Sequence, residues 1–380
     1  MNWEDVRQAY PAQTPLMNFN NAAVSPSPKV VQEAVHEYLR MISQNPDFNM
    51  WSNLDTRLPE TKRRLSVFAD CLPEEVALNR NASEGLATVI FGIPLAAGDE
   101  VLTCPWDYPS AITALAQRSR REGIRVAQVD FGLMDDDEAV IAAYTQAITP
   151  RTRVMLLTHM IHWTGKVLPV KKLCELARQH GIITLVDAAQ SFAHLPLSFR
   201  DIGCDYLVAS LHKWLGAPVG NGILIVRQPL IKSTYPLLGT FDLNPEGIEK
   251  FDHWNLGTYN SAMQAAIPVA MDFYSQIGVE KFHARLRHLS RYWVDQARSI
   301  PGFTLHTRTE DENLGAVVLF SIEGMSSLTL EKTLRQEHDI HVKYRKVGEL
   351  SGMRVSPHVY MTERELDAFA GVLRMVVARG

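Results

Sequence analysis

Two ionisable side chains stand at the ends of apolar runs, and their types make them the first candidates for chemistry. Asp187 lies in the run IITLVDAA at 182–189, and twenty-six residues later Lys213 follows the run DYLVAS within SLHKWLGAPVG at 210–220. A carboxylate at the end of a buried strand is costly unless a cation meets it; taken alone, Asp187 reads equally well as the cap of the next helix. A lysine on a turn is ordinarily a solvated cation. A desolvated lysine is a different reagent, with a lowered pKa and an amine that attacks carbonyl carbon or accepts protons near neutrality. On adjacent parallel strands the acid and the amine share one crevice, either as a buried ion pair or as the two ends of a site for a protonated heterocycle. Ser210 and His212 stand beside the lysine. Upstream, NASEGL at 81–86 opens a helix with small polar residues. Such a start is a plain N-cap, or a set of N–H groups and a hydroxyl aimed at an anion such as phosphate.

The elements that must position these residues alternate regularly. Strands are expected at 76–79, 100–104, 124–130, 153–159, 182–189, 205–210 and 222–227, with helices from Ser83, from Pro109, near 138–147 and at 170–180. The strands are short and apolar on both faces, the pattern of a parallel sheet covered by helices on each side. Ligands in such sheets sit beyond the carboxyl ends of the strands. Residues 28–42 read as a helix after an irregular start, and 228–257 as a long irregular excursion. Helices are expected at 261–277, 279–300, 327–338 and 362–378, with strands at 316–322 and 353–360, an α+β arrangement closing the chain.

Composition excludes several classes. The 380 residues are 46% hydrophobic and 21% charged, enough for a large core, and a net charge of −4 offers no basic field for nucleic acid or anionic lipid. The N-terminal MNWEDVRQAYP has early acids and no apolar signal core, and no apolar run reaches a membrane span, so a cytoplasmic protein is expected. The four cysteines, Cys71, Cys104, Cys174 and Cys204, form no CxxC pair and read as small apolar residues. Gly220-Asn221-Gly222 precedes its strand and lacks a third glycine, TGK at 164–166 lacks the rest of a P-loop, and GxSxG is absent. His159 and His162 have no convincingly spaced third ligand, so no metal is expected.

With these residues in view, the chain resembles the fold-type I enzymes of pyridoxal 5'-phosphate, in the class V aminotransferase and cysteine desulfurase superfamily. LVDAAQSFAHLPLSFRDIGCDYLVASLHKW carries most of the likeness. HKWLGAPVG, NNAA and LGTYNSAMQAAIPVAMDF are similar to the isopenicillin N epimerase-like branch, and THMIHWTGKVLPV to the cysteine/cystine C–S lyases. The resemblance implies an α/β fold: a mostly parallel seven-stranded sheet between helices and a smaller α+β C-terminal domain. It divides the chain into an N-terminal segment (1–25) joining the small domain, a large cofactor domain (26–260) and the small domain (261–380).

The same resemblance implies roles. Lys213 would hold the cofactor aldehyde as a Schiff base and shuttle the substrate α-proton, and Asp187 would pair with the pyridine nitrogen. Gln190 would bond the phenolic oxygen. Ala82, Ser83 and Glu84 would bind the phosphate with Ser210 and His212. Tyr108 would stack on the ring, His162 would touch ring or substrate, and Asn21 would lie near the substrate. Arg354 would grip the α-carboxylate, and Thr258 would reach the phosphate of a neighbouring subunit, making a homodimer with shared sites. The implied activity is on an α-amino acid at Cα or Cβ, epimerase-like or C–S lyase-like; a class V aminotransferase and a non-catalytic cofactor-binding protein are the alternatives. Two departures add expectations. No cysteine follows Cys204, which predicts that the chain is not a persulfide-forming desulfurase. Tyr259 stands after Gly257-Thr258, where the epimerase branch often has arginine, which argues against a second, distal substrate carboxylate at that point.

Overall fold

A computed structural model of the chain describes residues 1–11, 15–239 and 246–379. The apolar runs become one seven-stranded sheet. Its strands are β1 (Val76–Asn79), β2 (Glu100–Thr103), β3 (Arg125–Gln128), β4 (Thr152–Thr158), β5 (Ile183–Asp187), β6 (Tyr206–Ser210) and β7 (Gly222–Val226). Their order in space is β1-β7-β6-β5-β4-β2-β3, and β7 alone runs antiparallel to its neighbours. Alternate residues feed separate cores: Leu102, Met155, Leu157, Val186 and Leu207 on one face, Val101, Val154, Leu156, Leu185 and Val208 on the other. Each such side chain contributes roughly 1.5–3 kcal/mol by leaving water. The sheet is therefore committed to cover on both sides, except at edge strand β3, where no residue is fully buried.

The cover on the parallel part comes from α1 (Ala82–Gly92), α2 (Pro109–Glu122), α3 (Asp137–Ala147) and α4 (Val170–Gln179), each leading from one strand to the next. Two glycines let α1 lie close. A Cβ on Gly85 would stand 2.7 Å from Val208 Cγ1, and one on Gly222 would collide with Asn79 Oδ1 and the Asn81 backbone. The helix start is thereby pressed against the carboxyl ends of the central strands.

Beyond the sheet come α5 (Ile267–Ile277) and α6 (Val279–Ala297). An antiparallel sheet follows, made of β8 (Phe303–Leu305), β9 (Val318–Ile322), β10 (Lys343–Val347) and β11 (Leu350–Val355), ordered β10-β11-β9-β8 and flanked by α7 (Ser327–His338) and α8 (Glu363–Arg379). This is the α/β architecture with a smaller α+β unit that the sequence predicts. The short strand Met17–Asn18 pairs in parallel with Ile340–His341, and Asn20 bridges to Ser356. The N-terminal segment is thus threaded onto the C-terminal part.

Some boundaries differ. The single helix expected over 261–277 forms as two, Ser261–Ala265 and Ile267–Ile277. Pro268 lacks the N–H to continue the first and is suited to open the second. The strand expected at 353–360 stops at Val355. β8 and β10 were not anticipated, being short and without a clean apolar alternation. In the excursion 228–257, short helical turns form at Gln228–Ile231, Ile248–Phe251 and His253–Leu256; residues 240–245 lie outside the described residues. No helix among the described residues is long and apolar enough to cross a membrane.

Candidate active site

At the carboxyl ends of β5 and β6 lies a cavity of about 260 Å3, lined by residues from α1, the loops after β2, β4, β5 and β6, strands β10 and β11 and the N-terminal segment. Asp187 ends β5. Its Oδ1 accepts the Ala189 N–H at 2.9 Å, and its backbone carbonyl accepts the His159 N–H at 2.9 Å. Burial raises its pKa, and the nearby Lys213 amine opposes that rise. Lys213 follows β6 by three residues. Burial, with help from Arg354 and Arg345, presses its amine down to about 8, against the pull of Asp187. The two groups feel each other's charge, yet among the described residues neither enters an ion pair. The acid and the amine therefore face one another across a gap, as an ion pair would not.

One wall of that gap is an anion cradle. Asn81 caps α1 by accepting the Glu84 N–H at 3.0 Å, and the Ala82 N–H donates to Ser210 Oγ at 3.0 Å. This leaves the Ser83 N–H as the open donor at the helix start, with the Ser83 hydroxyl beside it accepting from Ser110 Oγ at 3.3 Å. Glu84 does not line the cavity; its carboxylate holds the Arg80 N–H and side chain. His212 donates from Nδ1 to the Asn221 carbonyl at 3.1 Å. Its Nε2 is left for the cavity, where it donates only as the imidazolium. Burial and Lys213 push that imidazole toward neutrality, and a dianion at the cradle would push it back.

The remaining predicted residues divide. Gln190 lines the cavity with its amide fixed: Nε2 donates to the Ala22 carbonyl at 2.8 Å and Oε1 accepts from Trp214 Nε1 at 3.1 Å. One Nε2 hydrogen stays free. Tyr108 caps the start of α2 and meets His162 edge-on at 5.2 Å. Burial and Arg354 hold His162 neutral. Arg354, from β11, is fully buried and donates to the His162 carbonyl at 2.9 Å and Asn20 Oδ1 at 2.7 Å; its Nε has no partner. Asn21 lies outside the lining, its amide consumed by the Asn18 and Ser356 carbonyls and the Tyr360 hydroxyl. Thr258 is exposed on the protomer surface, also outside this cavity. Among the described residues no cluster of three or more metal-type ligands forms.

Two contributors escaped the sequence. Asn20, not Asn21, orients Arg354. Arg345, from β10, enters the same cavity beside Arg354, and nothing in the local sequence marks it, because its placement depends on the β10–β11 register.

The donor set fits a pyridoxal phosphate group: an unpaired buried carboxylate for a ring nitrogen, an unpaired amine for an aldehyde, and an open helix N–H with a hydroxyl and an imidazole for a phosphate.

Comparison with known proteins gives the same direction. The family model described as aminotransferase class-V matches residues 17–369. The chain is 28% identical to an isopenicillin N epimerase of Amycolatopsis lactamdurans, covering 98% of each chain. It is 26% identical to a probable cysteine desulfurase of Methanothermobacter thermautotrophicus, covering 100% of this chain and 99% of the other. The apo structure of a cysteine desulfurase from Thermococcus onnurineus NA1 superposes with a TM-score of 0.88 at 22% identity, covering 99% and 98% of the two chains; at that identity it speaks for the fold. These findings correct one expectation. The missing cysteine after Cys204 predicts that persulfide-forming desulfurases are excluded, but chains named cysteine desulfurases match across the whole length, as the epimerases do. The cysteine count after residue 204 says nothing of the pocket in which a carbon–sulfur bond would be cleaved.

Proposed function

The chain belongs to the aminotransferase class-V family, and from that premise we propose that it is a pyridoxal 5'-phosphate enzyme acting at the α- and β-carbons of an α-amino acid. One observation carries this reading: Asp187 and Lys213 face each other unpaired across a single cavity whose wall is an open helix start. When bound there, the cofactor supplies an electron sink for the α-carbon. Asp187 holds the ring nitrogen's proton, which gives the buried carboxylate its counter-charge. Lys213 would be the amine that holds the cofactor aldehyde, and the base placed to take and return the substrate α-proton.

The Ser83 N–H, Ser210 and His212 hold the phosphate, with Ala82 positioning Ser210. Gln190 offers its free amide hydrogen to the ring oxygen, and Tyr108 with His162 covers the ring. Arg354 receives the α-carboxylate on its fork. Thr258, exposed on this protomer, is assigned to the phosphate of a second copy, so that a homodimer is the working form. Asn21, with its amide saturated, serves as scaffold. Residues 26–260 form the cofactor domain, with 1–25 attached to the small domain 261–380.

The relatives' names point to two reactions: loss of sulfur from a cysteine-type substrate, and epimerisation. A panel of cysteine derivatives and plain amino acids, run on the reconstituted protein, separates them. Alanine with sulfide or persulfide marks desulfuration, and pyruvate with ammonia marks β-elimination. Deuterium entry at Cα with inversion marks epimerisation, and oxo-acid formation marks transamination. Cofactor binding without any amino-acid response overturns the enzyme reading in favour of a binding protein.

A further inference from the structure

We propose that the cavity selects an α-amino acid whose side chain ends in an anion, and that Arg345 is the residue that selects it. The inference rests on the reading of the site given above. In the β10–β11 ladder Arg345 lies opposite Gly352 and Lys343 opposite Arg354. Arg345 and Arg354 are therefore diagonal neighbours on one face, roughly 7–8 Å apart in such a ladder, and both line the cavity.

Arg345 has no protein counter-ion among the described residues. Glu331, the acid near enough to feel it, already accepts from Lys343 Nζ at 3.3 Å and the Tyr344 N–H at 3.1 Å. The Nε of Arg345 is buried without a partner. Its guanidinium lies 5.8 Å from the centroid of the Trp163 ring, a cation–π contact that holds it inward rather than letting it swing to water. Among the described residues, three cationic side chains thus face the cavity with Asp187 as the one carboxylate. Lys213 is used by the aldehyde, and Arg354 by the α-carboxylate. The phosphate sits at the α1 start, on the wall of Ser83 and His212. Arg345 remains, half-buried beside the fully buried Arg354, and two guanidiniums without an anion between them repel. Burial first, and then that repulsion, lowers the pKa of Arg354, and an anionic side chain would relieve the repulsion.

The position that argues against a distal carboxylate in the sequence does not bear on this one. Tyr259 packs edge-on against His253 at 4.2 Å, outside the cavity. The cation comes instead from a strand of the C-terminal sheet.

The test uses pairs of ligands that differ in charge and not in shape: L-glutamate against L-glutamine, and S-carboxymethyl-L-cysteine against S-carbamoylmethyl-L-cysteine. Binding to the reconstituted holoenzyme is read from the cofactor's absorbance and independently by calorimetry. The acidic member of a pair is expected to bind at least about tenfold more tightly, the range of a charge-assisted contact. Arg345→Gln should erase the preference while leaving the neutral ligand unchanged, and Arg345→Lys should retain part of it. Equal binding of acidic and neutral ligands by the unaltered enzyme overturns the proposal, with no need for a variant that folds. So does a preference that survives Arg345→Gln, or a variant that loses both ligands equally, which would make Arg345 a second clamp on the α-carboxylate. Failure to bind pyridoxal phosphate at all overturns the broader reading and this one with it, and is distinguished by the missing visible absorbance.

Discussion

In the nucleophilic role proposed for it, Lys213 works only in its neutral form, and its surroundings set where that form appears. Burial and two arginines push the amine to about 8, while Asp187 pulls the other way. The neutral fraction grows as pH rises, so cofactor capture by the cofactor-free protein should accelerate through about pH 8 and then level. The neighbours shift that limb in opposite directions. Arg345→Gln removes a repelling cation and should move it to higher pH; Asp187→Asn removes the attracting anion and should move it lower. Stopped-flow absorbance on both variants checks the pair of signs, and a shared direction would break the electrostatic account. Lys213→Ala should abolish both the visible absorbance of the bound cofactor and turnover. Asp187→Asn should keep bound cofactor but lose about two orders of magnitude or more in turnover, the scale of losing one preorganised electrostatic partner.

Arg354 shows what a strand supplies and what it does not. β11 places the guanidinium, but its aim is fixed by the His162 carbonyl from the loop after β4 and by Asn20 Oδ1 from the N-terminal segment. Asn20→Ala should therefore raise KM about tenfold, as expected for one lost hydrogen bond to a charged group, with kcat and the cofactor spectrum near normal. A lost spectrum would mean that Asn20 holds the fold instead. Close packing under α1 invites a second check. Gly85→Ala sets a methyl group 2.7 Å from Val208 Cγ1 and should cost about 1–3 kcal/mol as overpacking, with weaker cofactor retention as the helix start moves; urea denaturation and dialysis measure each. These elements also show what the sequence discloses. Asp187, Ser210, His212 and Lys213 were legible because parallel strands gather their carboxyl ends whatever the exact pairing. Asn20 and Arg345 were not, since register places each: Asn20 meets Arg354 by bridging to Ser356, and Arg345 enters the cavity by standing opposite Gly352. Glu84 looked like a phosphate donor because nothing local tells a free N–H from one that Asn81 already caps. For Asn20, pairing across more than three hundred residues leaves no trace in a local pattern.

Several buried histidines are held neutral by the fold, and this gives the molecule's stability a direction with pH. His194 donates from Nδ1 to the Gln190 carbonyl at 2.8 Å and accepts the Ala316 N–H on Nε2 at 2.8 Å. One tautomer thus pins the loop after β5 to the segment entering β9. Burial holds His194 and His358 at about 3 and His159 and His253 at about 4. Their folded pKa values lie below the unfolded value, so the unfolded chain binds the extra protons and stability is lost as pH falls below about 6.5. Asp107 and Asp252, raised to about 6 by burial, act oppositely, because the folded chain holds their protons. Between about pH 6 and 4 the four histidines outnumber these two carboxylates and Asp187, which burial also raises. Further buried histidines, His162 and His212 among them, push the same way. The unfolding free energy of the cofactor-free protein should therefore fall on acidification, at about 1.4 kcal/mol per excess proton per pH unit. His194→Leu separates the histidine at the junction from the rest. It strands a buried carbonyl and a buried N–H, and at neutral pH should cost about 2–4 kcal/mol. It also removes one titrating group, so its stability should decline less steeply with acid than that of the unaltered chain. Parallel slopes for the two proteins would show that His194 is not kept neutral by the fold.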